Sequence, residues 1–233
     1  MWQVTSGYAY GSYFVTLEIH DIYHGCIDSY LSPDCVIIEY MRTAIIKGLI
    51  MTEITLETER LILRPPKMED AWDMKTLLQE RDISENIDAI PYPYPDEMAQ
   101  RQLREAIQHL DDEDGYYFMI TLKSSGELMG AVYSYHRPVH LNTTLTYWLG
   151  KPYRGNKYIS EAVSSVMKYG FEADKFHRIW AMVYSGNDAA SQILKKVGMK
   201  HEGVLREHIY DGDGFRDVEY YGMLRKEWEL DGS

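Results

Sequence analysis

Between Tyr147 and Ala162 the chain reads Tyr-Trp-Leu-Gly-Lys-Pro-Tyr-Arg-Gly-Asn-Lys-Tyr-Ile-Ser-Glu-Ala, a run of residues suited to holding an anion. Leu145, Tyr147 and Leu149 alternate with Thr146 and Trp148, the period of a strand. After a short loop, Ile159, Ala162, Val163, Val166 and Gly170 fall on one face of a helix. A strand that passes straight into a helix leaves the first helical N–H groups without intrahelical partners, pointing out of the loop. Such a cluster of donors favours a pyrophosphate, so the segment predicts a phosphate-bearing cofactor. Further on, Asn187 and Ser191 stand one helical turn apart and can face the same way. Taken alone, Asn187 reads as an N-cap and Ser191 as a first-turn residue, together contributing about 1 kcal/mol to the helix.

The elements that must position these residues follow from punctuation and period. Thr58 to Arg64 predicts a strand ended by Pro65 and Pro66. Ala71, Met74, Leu77 and Leu78 mark an amphipathic helix over 69–79, and Pro91 to Pro95 is a loop. A second helix is expected over 96–110, with Met98, Leu103, Ile107 and Leu110 inward. Strands at 116–122 and 128–135 flank a Ser-Ser-Gly turn, and 143–149 continues the antiparallel run. After the helix near Tyr158 come a strand at 178–183 and a helix at 188–197 that Gly198 stops. Two strands, 200–209 and 215–224, close around Asp211 to Gly214. The order predicts an α+β fold, a mixed and mostly antiparallel sheet flanked by helices, in one domain over about 52–230. Residues 1–51 stand apart. Either Met51 is the biological start and they are an upstream extension, or they form an N-terminal arm.

Composition narrows the class. With 45% hydrophobic and 26% charged residues the chain reads as an ordinary soluble domain, and its 20 tyrosines favour strands over a helical bundle. A formal charge of −12 argues against direct nucleic-acid contact and favours approach of a cationic substrate. Cys26 and Cys35 have no metal-ligand spacing and are read as thiols, one disulfide being the alternative; no metal site is expected. The apolar stretch at 36–51 is broken by Glu39, Arg42 and Lys47, which argues against a membrane span, and a cytoplasmic location is the default.

After Met51 the chain resembles the GNAT superfamily of N-acetyltransferases, in its RimJ/RimL-like branch. The resemblance rests on Glu57-Thr58-Glu59-Arg60-Leu61-Ile62-Leu63-Arg64, Tyr147-Trp148-Leu149-Gly150, and Tyr158 to Ala162. Asn187 with Ser191, Gly198, Glu202-Gly203, Leu205-Arg206 and Glu227-Trp228 continue it in order. It implies acetyl-CoA as co-substrate and a primary amine as acceptor, either a protein N-terminus or a small molecule, on a monomer or homodimer. The family's loop, Gln/Arg-x-x-Gly-x-Gly/Ala, falls on Arg154-Gly155-Asn156-Lys157-Tyr158-Ile159, with Lys157 in place of the first motif glycine and Ile159 in place of Gly or Ala.

By that resemblance Trp148, Leu149, Arg154, Gly155, Asn156, Lys157, Tyr158, Ile159 and Asn187 bind the cofactor. A main-chain N–H at Trp148 to Leu149 stabilises the carbonyl oxygen of the thioester. Ser191 is the candidate general acid. No general base is assigned: Thr144 stands where many relatives carry Glu, and a threonine hydroxyl does not act as a base at neutral pH. Glu161 reads as a helix-dipole residue, and Tyr135, His136 and His140 end a strand bordering the cleft. Tyr92 and Tyr94 either line the acceptor cleft or pack on the second helix. His208, Tyr210 and Asp217 belong to the last hairpin, Asp217 in a structural role. A domain that binds acyl-CoA or a partner without catalysis is the competing reading.

Overall fold

A computed structural model describes residues 54–87, 90–111 and 115–231. The expected extension over 1–51 and the expected free thiols at Cys26 and Cys35 lie outside these residues, as does the side chain of Leu110. Strands β1 (Leu56–Glu57), β2 (Leu61–Arg64), β3 (Gly115–Leu122), β4 (Leu128–Arg137), β5 (Asn142–Leu149), β6 (Arg178–Tyr184), β7 (Lys200–Tyr210) and β8 (Phe215–Leu224) form one 8-stranded sheet. Its order is β1-β2-β3-β4-β5-β6-β8-β7, and β5 with β6 is the parallel pair. Helices α1 (Ala71–Leu78), α2 (Arg81–Ser84) and α3 (Met98–Asp111) precede β3; α4 (Tyr158–Glu172) makes the β5–β6 crossover. Helix α5 (Asp188–Lys196) joins β6 to β7, and α6 (Arg225–Asp231) follows β8.

Strand alternation divides the core in two. On one side, here the back, Leu61, Leu63, Phe118, Ile120, Val132, Leu145, Ile179, Ala181, Val183 and Tyr221 pack against Ile159, Ala162, Val163, Val166 and Phe171 of α4 and Leu194 of α5. On the front, Met119, Ala131 and Trp148 pack against Met74 and Leu78 of α1, Ile83 of α2, and Ala99 and Leu103 of α3. At about 25 cal/mol per Å² of apolar surface buried, these two layers supply the main favourable term of folding. β4 and β5 approach closely because residue 130 is glycine: a Cβ there would lie 2.3 Å from the Trp148 carbonyl oxygen.

The expected strand over Thr58–Arg64 is shorter. Leu61–Arg64 pairs with β3, while Leu56–Glu57 turns back on β2. The Thr58 hydroxyl explains the break, because it accepts the Leu61 N–H at 2.9 Å and closes a turn across Glu59 and Arg60. The short helices α2 and α6 have no counterpart in the sequence pattern. In α6, Glu227 Oε2 accepts the Leu224 N–H at 2.9 Å, a start signal that its place among the family markers conceals. Among the described residues no helix is long and apolar enough to cross a membrane.

Candidate active site

Strands β5 and β6 are paired only from Asn142↔Arg178 to Leu145↔Ala181, although β5 continues to Leu149 and β6 to Tyr184. Beyond Leu145 they diverge, leaving a gap in the middle of the sheet. The orientation of the amides at its edge follows from alternation. Gly150 N–H donates to Met129 O on β4 at 2.9 Å, so Trp148 N–H also faces β4, whereas Tyr147 and Leu149 N–H face the gap. A brace crosses the back of the gap, where the Tyr147 hydroxyl donates to Ala190 O of α5 at 3.2 Å. Burial pushes that phenol far above its usual pKa, so it stays a donor.

At the mouth of the gap the loop turns sharply. Gly155 has φ +81° and Lys157, the N-cap of α4, has φ +66°. Two left-handed residues, at 155 and 157, bring the loop amides and the first N–H groups of α4 to one side. Lys157 thus adopts the conformation for which glycine is the easy residue. Beside the first turns of α4, Arg60, Lys157, Ser160, Glu161, Ser164, Lys196 and Val197 line a hollow of about 240 Å³.

Several side chains expected to hold the cofactor are engaged elsewhere. Trp148 is 3% exposed, its amide is turned to β4, and its indole lies in the front core. Arg154 donates from Nε to Leu149 O at 3.1 Å and pairs with Asp82, which makes it a clamp between the loop, β5 and α2. Asn156 donates from Nδ2 to Tyr153 O and Arg154 O at 3.4 and 3.3 Å, holding the turn itself. Ile159 is buried in the back core, and the Tyr158 ring carries the Arg60 guanidinium 4.5 Å from its centroid. Leu149, Gly155, Asn156, Tyr158 and Ile159 thus offer main-chain groups at the gap or loop, and Lys157 adds its side chain to the hollow. On α5, Asn187 Oδ1 accepts Ala190 N–H at 3.1 Å, and buried Ser191 donates its N–H to Asn187 O at 3.1 Å.

The acid–base candidates separate by face. Glu161 accepts from the Thr58 hydroxyl (2.5 Å), Arg60 N (3.0 Å), Nε (2.8 Å) and Nη2 (2.6 Å). Burial pushes its carboxyl up, but the Thr58 and Arg60 bonds outweigh that and hold it below the ordinary carboxylate value. It is a clamp from α4 to the β1–β2 turn, a role the dipole reading missed. The His136 ring packs against Tyr116 and Phe176 on the back, with centroids at 4.6 and 4.8 Å, away from any front cleft. His140 ends an exposed turn, and Tyr135 is exposed on the front. Thr144 faces front beside Tyr135 and Trp180. Tyr94 is buried, with its hydroxyl on Gln102 of α3 at 2.7 Å, so it packs on the second helix; Tyr92 is exposed beneath Arg81. Asp217 accepts Glu207 N–H at 2.7 Å and supports a bulge in β7; His208 edges Tyr220, and Tyr210 lies against Phe215.

Comparison with known proteins places this arrangement. The family described as "Acetyltransferase (GNAT) domain" matches residues 60–200. The chain belongs to the GNAT acetyltransferase family. Among curated relatives of this GNAT protein, the uncharacterized N-acetyltransferase YoaA of Bacillus subtilis is 28% identical over 177 residues, spanning 73% of this chain and 96% of the relative. The ribosomal-protein-serine acetyltransferase of Escherichia coli is 26% identical over 112 residues, 47% of this chain and 62% of its own. Among solved structures, a GNAT-family acetyltransferase from Bacillus anthracis superposes with a TM-score of 0.68 at 22% identity, covering 74% of this chain and 99% of that one. RimL, the ribosomal L7/L12 α-N-protein acetyltransferase in complex with coenzyme A, gives a TM-score of 0.68 at 15% identity, covering 73% and 98%. The chain is thus an N-acetyltransferase by family, and its sheet is the GNAT fold.

Proposed function

We propose that the protein transfers an acetyl group from acetyl-CoA to a primary amine by direct attack on the thioester. The observation that carries this reading is the divergence of β5 from β6 after Leu145 and Ala181, with the Leu149 N–H facing the gap and the start of α4 at its mouth. Acetyl-CoA supplies an activated acyl carbon on a thiolate leaving group. The residues present suit it. The main chain of Gly155, Asn156 and Lys157 and the first amides of α4 form an anion cradle, and the hollow with Lys157 and Lys196 extends it for a phosphorylated nucleotide. Asn187 keeps its amide NH2 for a carbonyl of the pantetheine arm, since Oδ1 is taken by Ala190.

For turnover, the Leu149 N–H donates to the thioester oxygen as negative charge develops there. The amine nitrogen forms the new C–N bond as the C–S bond breaks; Ser191, the candidate general acid, gives its proton to the departing thiolate and regains the one that the new amide nitrogen sheds. The amine loses its extra proton to water. An α-amino group, with an ordinary pKa of about 7.7–8.0, loses it at little cost near neutral pH, whereas a lysine-like amine holds it more tightly. RimL, as an α-N-protein acetyltransferase, supports a protein N-terminus as one acceptor class, with small amines as the other.

Lys157 in a left-handed conformation and Ile159 in the second motif position favour one competing reading, a domain that binds acyl-CoA without turnover. Calorimetric titration with acetyl-CoA, followed by thiol release across an amine panel, separates the two. Binding with turnover supports the enzyme, and binding without turnover supports the non-catalytic domain. Absence of binding at millimolar acetyl-CoA contradicts both.

A further inference from the structure

On the front of the sheet, beyond the helices α1 to α3, the strands flanking the gap present a floor. It consists of Thr144 and Thr146 on β5, Trp180 and Met182 on β6, and Tyr220 on β8, all partly exposed. The floor is mostly ring and thioether. Trp180 and Tyr220 are stacked, with centroids 5.3 Å apart and planes 14° from parallel. The Trp180 indole N–H is engaged by Asn142 Oδ1 at 3.4 Å, so Trp180 offers its ring alone.

Tyr184, next along β6 on the same face, differs from its neighbours. It is 6% exposed, and the Arg216 guanidinium sits 4.4 Å from its ring centroid while donating to Glu85 O at 3.2 Å. Yet among the described residues its hydroxyl has no hydrogen-bond partner. Leaving a buried hydroxyl unpaired costs more than a made bond gains, so such a group in a folded protein calls for an explanation. Packing does not need the oxygen, because phenylalanine would fill the same space. The position does point to a use: Tyr184 ends the strand that forms one wall of the gap, and its carbonyl accepts the Asn187 N–H at 3.0 Å.

We propose that the Tyr184 hydroxyl accepts a hydrogen bond from the incoming amine, and that the acceptor is a primary monoamine whose attached group is apolar or aromatic and lies on Met182, Trp180 and Tyr220. This rests on the acetyl-transfer reading and adds the acceptor class. The surroundings of the floor support it against a polycation. Basic and acidic groups balance at this face: Arg216 over Tyr184 lies 3.5 Å from Asp211, Arg178 pairs with Glu202, and Arg137 lies 5.9 Å from the Trp180 ring while Glu105 approaches Tyr135. A second ammonium on the substrate loses hydration on a floor of rings and a thioether, while a flat group gains contact with the rings.

The test is thiol release by the full chain with acetyl-CoA and, in parallel, 2-phenylethylamine, ethylamine and spermidine. The expected result is a kcat/KM for 2-phenylethylamine at least about tenfold above those for the other two amines. Tyr184→Phe is expected to lower kcat/KM for 2-phenylethylamine about tenfold, with the calorimetric Kd for acetyl-CoA within about twofold of wild type and a thermal midpoint no lower. Tyr220→Ala narrows the preference over ethylamine to about threefold or less. Equal or better turnover of spermidine overturns the inference, as does a Tyr184→Phe variant with unchanged kinetics. Binding of acetyl-CoA without turnover of 2-phenylethylamine also overturns it while leaving the cofactor site standing. Failure to bind acetyl-CoA is instead the failure of the acetyl-transfer reading.

Discussion

Lys157 shows how much of a motif is backbone. The family pattern asks for glycine there, and the structure supplies the reason, a φ of +66° that an L side chain adopts at a cost of roughly 1–2 kcal/mol. Glycine's extra freedom in the unfolded chain returns part of that. Lys157→Gly is therefore expected to stabilise the fold by about 1 kcal/mol or less, read by urea denaturation, whereas Lys157→Val destabilises it. Glu161 gives a second prediction, with its sign fixed by linkage. Its folded carboxyl titrates below the ordinary value, so its contribution is present above about pH 4.5 and is lost as pH falls through the lower folded value. Wild type is expected to exceed Glu161→Gln in stability at neutral pH, and the difference should shrink on acidification. A constant difference contradicts the clamp. At this scale the sequence was least legible. Arg154 and Trp148 stand in motif positions, but a partner 72 residues away in Asp82 and a seat in the front core engage them, and spacing along a chain carries no sign of either. The same holds for Tyr184, where the informative fact is a missing bond.

Elements were far more legible, because period and punctuation are local. The alternation over Asn142–Leu149 and the apolar face of α4 fall where the pattern put them, within a residue or two. What escaped was short or depended on a side-chain bond: β1, whose turn is made by the Thr58 hydroxyl, and α6, whose first turn is tied by Glu227. The gap itself was invisible. Nothing in the composition of β5 and β6 says that their pairing ends at Leu145 and Ala181 while both strands continue. Two residues fix β5, the strand that forms one wall of the gap, and each can be tested. Gly130→Ala places a methyl against the Trp148 carbonyl and should cost about 1–3 kcal/mol by denaturation while spreading β4 from β5. Tyr147→Phe removes the brace to Ala190 at a cost of about 1 kcal/mol, and acetyl-CoA is expected to bind more weakly in calorimetry. Unchanged affinity in that variant contradicts the brace.

For the whole molecule, the proposed function assigns one substrate to each side of the sheet through the two cores. Helices α4 and α5 cover the back and bring the loop amides, Asn187 and Ser191 to the donor side of the gap. Among the described residues the front past α1 to α3 carries the partly exposed aromatic floor, so in the proposed reaction donor and acceptor approach through opposite faces and meet between β5 and β6. The proposed direct attack has both bound together, without a covalent acetyl-enzyme. Initial velocities with both substrates varied are expected to give intersecting lines, and parallel lines contradict this layout. The central claim is that the gap and the turn at Gly155–Lys157 form one continuous seat for a nucleotide thioester. A crystal structure of the protein with coenzyme A tests it most directly. The pyrophosphate is expected on the amides of the 155–160 segment and the pantetheine arm between β5 and β6, near Leu149 and Asn187. Coenzyme A bound elsewhere, or a gap filled by protein side chains with no ligand in it, contradicts the claim.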